Sequence, residues 1–138
     1  MTAPQNANHK FPKSRRLLRH ADFDRVYKKG RRHFATHMTV FYLGREAGQE
    51  AAEPPHMRIG FTVRRMLGGA VQRNLMRRRL REAVRLQTAQ FQAGVDIVIN
   101  PKPSLLKADF GELKAEVAKA FQVIERTLSQ ESGRKQVQ

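Results

Sequence analysis

With 138 residues and 40% hydrophobic side chains, the chain is long enough for one folded core and too short for two. Its 27 Lys and Arg outweigh 12 Asp and Glu, and the resulting net charge of +15 is the electrostatic footprint of a nucleic-acid binder. The absence of cysteine excludes a disulfide framework, a thiolate nucleophile and a Cys-ligated zinc, while no apolar run approaches a signal-peptide core or a membrane span. The expected location is therefore the cytoplasm.

Met1 to His9 is polar and aperiodic and reads as a disordered tail. Lys10 to Arg19 is a basic extended segment with Phe11, Leu17 and Leu18 as candidate anchors. Ala21 to Lys29 has Phe23, Val26 and Tyr27 at helical spacing, and Gly30 stands where a helix commonly stops. From Arg31 the period changes to two. Arg31 to Ala35 is a short strand, and Thr36 to Arg45 a better one, with Met38, Val40 and Tyr42 alternating against Thr39, Phe41 and Leu43.

Glu46 to His56 is rich in Gly, Ala, Glu and Pro and is expected as a hairpin loop, followed by a third strand over Met57 to Val63. Gly68-Gly69 turns the chain into a helix that ends before Gly94. Val95 to Asn100 is a nearly continuous β-branched run, a buried central strand closed by Pro101 and Pro103. The last helix starts at Asp109, which has capping-box spacing to Glu112, and carries a core stripe from Phe110 to Leu128. Residues 129–138 read as a frayed polar tail, so the expected domain is 10–128. The order helix, three strands, helix, strand, helix gives an α+β sandwich.

The functional signal is concentrated between Arg58 and Arg85. At about 100° per residue, Arg73, Arg77, Arg81, Asn74, Arg85 and Arg78 share one arc of roughly 140°, with Met76, Leu80, Ala83, Leu75 and Leu86 on the other side. Arg79 falls among the apolar positions, where its stem can lie along the core edge and its head reach water, and Val84 falls among the cations. A solvated helix face is the ordinary explanation of a charge run. Here Glu82 is the only carboxylate between Glu53 and Asp96, so a polyanionic partner explains the row better. An interfacial membrane helix would bury Trp and Phe that this helix lacks.

No protein-borne active site is legible. Asp22 and Asp24 point apart at helical spacing, and His33 and His37 stand about 13 Å apart in an extended chain, so neither pair makes a metal site. Nothing in the sequence suggests a Ser-His-Asp assembly. A DNA reader would need a helix-turn-helix pair and a dimer interface, and neither is evident.

Arg58-Ile-Gly-Phe-Thr-Val63, Gly68-Gly-Ala-Val71 and Arg73-Asn74 followed by Arg77, Arg78, Leu80, Arg81 and Glu82 resemble the signature of the bacterial ribonuclease P protein subunit. The resemblance extends to Phe11-Pro12, Leu17-Leu18, Asp22-Phe23, Val26-Tyr27 and Asp96 to Ile99, and so covers 11–128. It implies an α-β-β-β-α-β-α fold with a left-handed β-α-β crossover, against the usual right-handed rule. It also implies a partner of a catalytic RNA, the two together removing the 5′ leader of precursor tRNA with Mg²⁺ in the RNA active site. Arg65, Arg73, Asn74, Arg77, Arg78 and Arg81 are then expected to face the RNA subunit, and Phe23 and Tyr27 the single-stranded leader. Leu75 and Met66 stand where the family pattern is basic, leaving Arg64 and Arg65 to act after the third strand. The competing reading is a ribosomal-type or chaperone-like RNA-binding module without an enzyme.

Overall fold

The computed structural model describes residues 16, 17, 19–45, 57–88 and 94–137. Helix α1 spans His20–Lys29, β1 Arg31–Phe34, β2 Met38–Gly44 and β3 Arg58–Phe61. A 3-10 turn at Arg65–Leu67 leads into α2, Ala70–Thr88, which is followed by β4, Val95–Pro101, a second 3-10 turn at Pro103–Leu106 and α3, Phe110–Val137. The expected α+β class and order of elements hold.

The four strands lie in the order β1-β2-β4-β3, with β3 parallel to β4 and the other pairs antiparallel. A parallel pair cannot be joined by a tight turn, so α2 serves as the crossover. This order corrects the hairpin expected between the second and third strands. β2 pairs with β4, and β3 lies on the far side of β4; residues 46–56 lie outside the described ones.

Alternation along β2 separates the two faces of the sheet. Val40 and Tyr42, with Ile59, Ile97 and Ile99, meet Met76, Leu80, Ala83 and Val84 of α2 and Leu113, Val117, Phe121 and Ile124 of α3 in the main core. Each fully buried Val, Leu, Ile, Met or Phe among them contributes about 1.5–3 kcal/mol. On the opposite face Leu17, Val26 and Val98 form a smaller cluster with Phe23, Phe41 and Leu43 packed against it. Among the described residues, helix α1 and Leu17 cover this second face in part.

Electrostatics fastens α1 down. Asp96, fully buried on β4, accepts hydrogen bonds from Arg45 at 2.6 Å, from Arg58 at 3.0 Å through both carboxylate oxygens, and from Arg25 of α1 at 3.2 Å. Arg25 also donates to Asp22 at 2.9 Å. A buried carboxylate is tolerable only with such a set of partners. At the far end of α1, Gly30 has an extended backbone with φ of −83°, and a Cβ would stand 2.5 Å from the Val26 carbonyl oxygen and 2.6 Å from that of Tyr42. Glycine is required there by close approach, not by a left-handed turn.

The Asp109 carboxylate caps α3 by accepting from the Gly111 N–H at 2.9 Å. Glu112 does not complete a capping box; it turns to His37, 3.7 Å away. The tail expected from residue 129 instead continues α3 as far as Val137. The expected tail at 1–9, and Phe11, Pro12 and Leu18, lie outside the described residues.

Candidate nucleic-acid interface

The entry to α2 is set by Gly68, whose φ of +144° is open to glycine and strained for other residues. From this turn the helix buries Met76, Leu80, Ala83 and Val84. Val84, expected among the cations, is in the core, whereas Leu75 and Leu86 are 40% and 42% exposed. The helix wheel accounts for both corrections. Val84 lies roughly 40° from Leu80, but Leu75 and Leu86 lie roughly 120–140° round from it, beyond the reach of the sheet and α3.

Arg73, Arg77 and Arg81 run along one flank at i,i+4 spacing and are half-buried; Asn74 and Arg78 are exposed beside them. Arg73 Nε donates to the Gly68 carbonyl at 3.2 Å, and Arg77 Nη1 donates to Asn74 Oδ1 at 2.9 Å. Burial lowers the pKa of Arg81, and the charges of Arg16, Arg77 and Arg78 lower it further. Arg16 reaches this flank because it bridges Ile59 on the outer edge of β3, where the Leu17 N–H donates to the Ile59 carbonyl at 2.9 Å. Arg64 and Arg65 extend the same charge onto the exposed turn before α2. The structure thus brings together the six expected RNA-facing residues and adds Arg16, which sequence spacing could not connect to α2.

Two arginines of the helix have other duties. Arg85 pairs with Glu82 at 2.6 Å, and this hydrogen bond holds its pKa above the ordinary value. Arg79, expected to reach water, is half-buried and donates to the Ala108 carbonyl, tying α2 to the approach to α3.

The second surface lies between α1 and the sheet. Phe23 is half-buried over Gly60, where a Cβ would come within 2.4 Å of its ring. Tyr27 is 36% exposed; its hydroxyl donates to Asn100 Oδ1 at 3.0 Å and shares a hydrogen bond with the Thr62 hydroxyl at 2.8 Å. Its ring meets Phe41 edge to face at 4.9 Å, and the Arg32 guanidinium lies 5.6 Å from the centroid of Phe41. Phe41, Arg32, Thr62 and Asn100 were not singled out from sequence. The available signals were the outward set of the β2 alternation and the lone amide ending the apolar run of β4.

Among the described residues the acids do not assemble a metal centre. Asp22 lies 2.9 Å from Arg25 and 3.9 Å from Arg58, Asp24 lies 3.5 Å from His20, and Asp96 is held by three guanidiniums. His37 meets Ser104 at 2.7 Å and Glu116 at 3.5 Å, fixing the β1–β2 turn to α3. Among the described residues no three His, Asp or Glu side chains form a group able to hold a metal ion.

A cationic helix flank beside an aromatic sheet face defines a small α+β nucleic-acid-binding domain. The Ribonuclease P family model matches residues 11–125. The ribonuclease P protein component of Oleidesulfovibrio alaskensis is 41% identical over 90 residues, covering 65% of this chain and 68% of that one. The component of Acidothermus cellulolyticus is 40% identical over 106 residues, 77% of this chain and 84% of that one. Among solved structures, a mutant RNase P protein of Staphylococcus aureus aligns with a TM-score of 0.70 at 25% identity, covering 82% of this chain and 90% of that one.

The chain belongs to the bacterial ribonuclease P protein family. It is a subunit of the endoribonuclease that processes tRNA at the 5′ end, and its partner in the holoenzyme is RNA. No described helix is long and apolar enough to cross a membrane.

Proposed function

We propose that this subunit supplies binding, while the RNA subunit carries the cleavage chemistry with water and Mg²⁺. Arg65, Arg73, Asn74, Arg77, Arg78 and Arg81 dock on the catalytic RNA, and Phe23 and Tyr27 hold the single-stranded 5′ leader of precursor tRNA. The observation that carries this reading is the presence of two different surfaces on one small domain. The α2 flank is a row of guanidiniums, with Arg16, Arg77 and Arg78 close enough to Arg81 to add to the lowering of its pKa by burial, which suits the dense phosphates of a folded RNA. The Tyr27–Phe41 face is aromatic and polar, which suits unstacked bases.

Division of labour follows from that chemistry. Holding the leader tightens the precursor complex more than the product complex, because mature tRNA has no leader. Neutralising phosphates also lets two RNAs approach and order at lower Mg²⁺. The cytoplasm, where precursor tRNA is made in bacteria, is the corresponding location, and DNA and membranes have no role in this reading.

Leader dependence separates this function from a generic RNA-binding module. In holoenzyme reconstituted with a bacterial ribonuclease P RNA, the protein is expected to tighten binding of precursor tRNA well beyond that of mature tRNA. Equal tightening of both would favour the generic module.

A further inference from the structure

The strand register continues the Tyr27 site across the sheet to its β1 edge. Thr39 pairs with Asn100 on β4 and with Phe34 on β1, so Asn100, Thr39 and Phe34 form one row on the face that carries α1. The adjacent row contains Val98 and Phe41, which pack with Val26 and Phe23 of α1. The helix reaches the Asn100 row through the Tyr27 hydroxyl. Two strand spacings away, about 10 Å, Phe34 is 67% exposed, while the other described phenylalanines are at least partly buried.

A single exposed apolar residue needs no explanation. The neighbours of Phe34 give it meaning. Arg32, exposed on the same strand face, lies against Phe41, and Lys102 donates through Nζ to the carbonyl of Ala35, the residue after Phe34. Arg31 points to the other face and pairs with Glu131, so the excess charge beside Phe34 belongs to Arg32 and Lys102. A flat aromatic face flanked by cations matches an unpaired nucleobase on an anionic backbone. An apolar protein surface would leave those cations uncompensated, and a duplex keeps its base faces stacked inside.

We propose that Phe34 is a second nucleobase-stacking position, continuing the single-stranded RNA path from Tyr27 toward the β1 edge, with Thr39 as a hydrogen-bonding step between them. The proposal rests on the leader-binding reading above and extends it: the 10 Å span makes Phe34 sensitive to leader length in a way that Tyr27 is not. Short leaders end before reaching Phe34, and longer ones gain a stack.

The test uses reconstituted holoenzyme and precursor tRNAs whose leaders are shortened one nucleotide at a time. Wild-type protein should gain affinity in two stages as the leader lengthens. Phe34→Ala should abolish the second stage, a loss of about tenfold with the longest leader, and leave the shortest leader unaffected; Phe34→Tyr should restore it. Because Phe34 is exposed, an unchanged thermal melt is expected and checks that the loss is local. Equal leader-length profiles for wild type and Phe34→Ala would overturn the proposal. So would a Phe34→Ala variant that only dissociates a protein dimer without RNA, since the ring would then serve a second copy of the chain. A wild-type profile that ignores leader length altogether is a separate result: it removes the leader reading itself.

Discussion

Tyr27 and Phe41 meet edge to face, with centroids 4.9 Å apart and ring planes at 85°, while the Tyr27 hydroxyl is anchored between Thr62 and Asn100. The ring is therefore held in place before any RNA arrives. Pre-ordering lowers the entropy lost when a base stacks on it. Tyr27→Ala should weaken precursor binding by about 1–3 kcal/mol and leave mature tRNA binding unchanged. Tyr27→Phe keeps the ring and loses its anchors, so it should fall between the two. Equilibrium binding to both RNAs checks this directly.

The arginines of α2 should not respond alike. Arg77→Ala is expected to reduce the slope of log affinity for the RNA subunit against log salt by about one. Arg85→Ala should leave that slope nearly unchanged, because its charge is already met by Glu82. Equal effects from the two substitutions would mean that the Glu82 pair opens when RNA binds.

Asp96 is a stability residue. Removing its carboxylate takes a buried, charged acceptor from Arg45 and Arg58, whose side chains are themselves largely buried, so Asp96→Ala should cost about 3–5 kcal/mol. Denaturant unfolding of the protein without RNA measures this. Because Arg25 bridges the same carboxylate to α1, leader affinity should fall along with stability.

His33 gives stability a pH dependence of definite sign. Burial lowers its pKa from 6.5, and Lys119 adds to the depression while Glu116 opposes it. The folded state therefore binds the proton less readily than the unfolded one. The associated stability is present above pH 6.5 and is lost as the pH falls through the lower folded value. His33→Gln should flatten unfolding free energy across that window, as read from denaturant titrations at successive pH values.

Much of the fold was legible because its signals are local. The β2 alternation separated the two sheet faces, the apolar run of β4 marked a central strand, and the stripe of α3 marked a core helix. Pairing partners are not local, so the exchange of β3 and β4 that replaces the expected hairpin could not be read from either strand alone. The arginine row was visible as an arc of the wheel, yet the wheel does not fix which degrees of it meet the sheet; Leu75, Leu86 and Val84 were misassigned for that reason. Phe23 and Tyr27 came from a family pattern, whereas Phe41, Asn100 and Thr62 join Tyr27 only through folding. Arg16 joins Arg81 in the same way, from a strand edge far away in sequence.

Cleavage of a precursor tRNA at low Mg²⁺, with this protein and a bacterial ribonuclease P RNA supplied separately and together, tests the division between binding and chemistry most directly. Activity only in the combination is the predicted result. Cleavage by the protein alone would contradict it, because it would require a catalytic site on this chain.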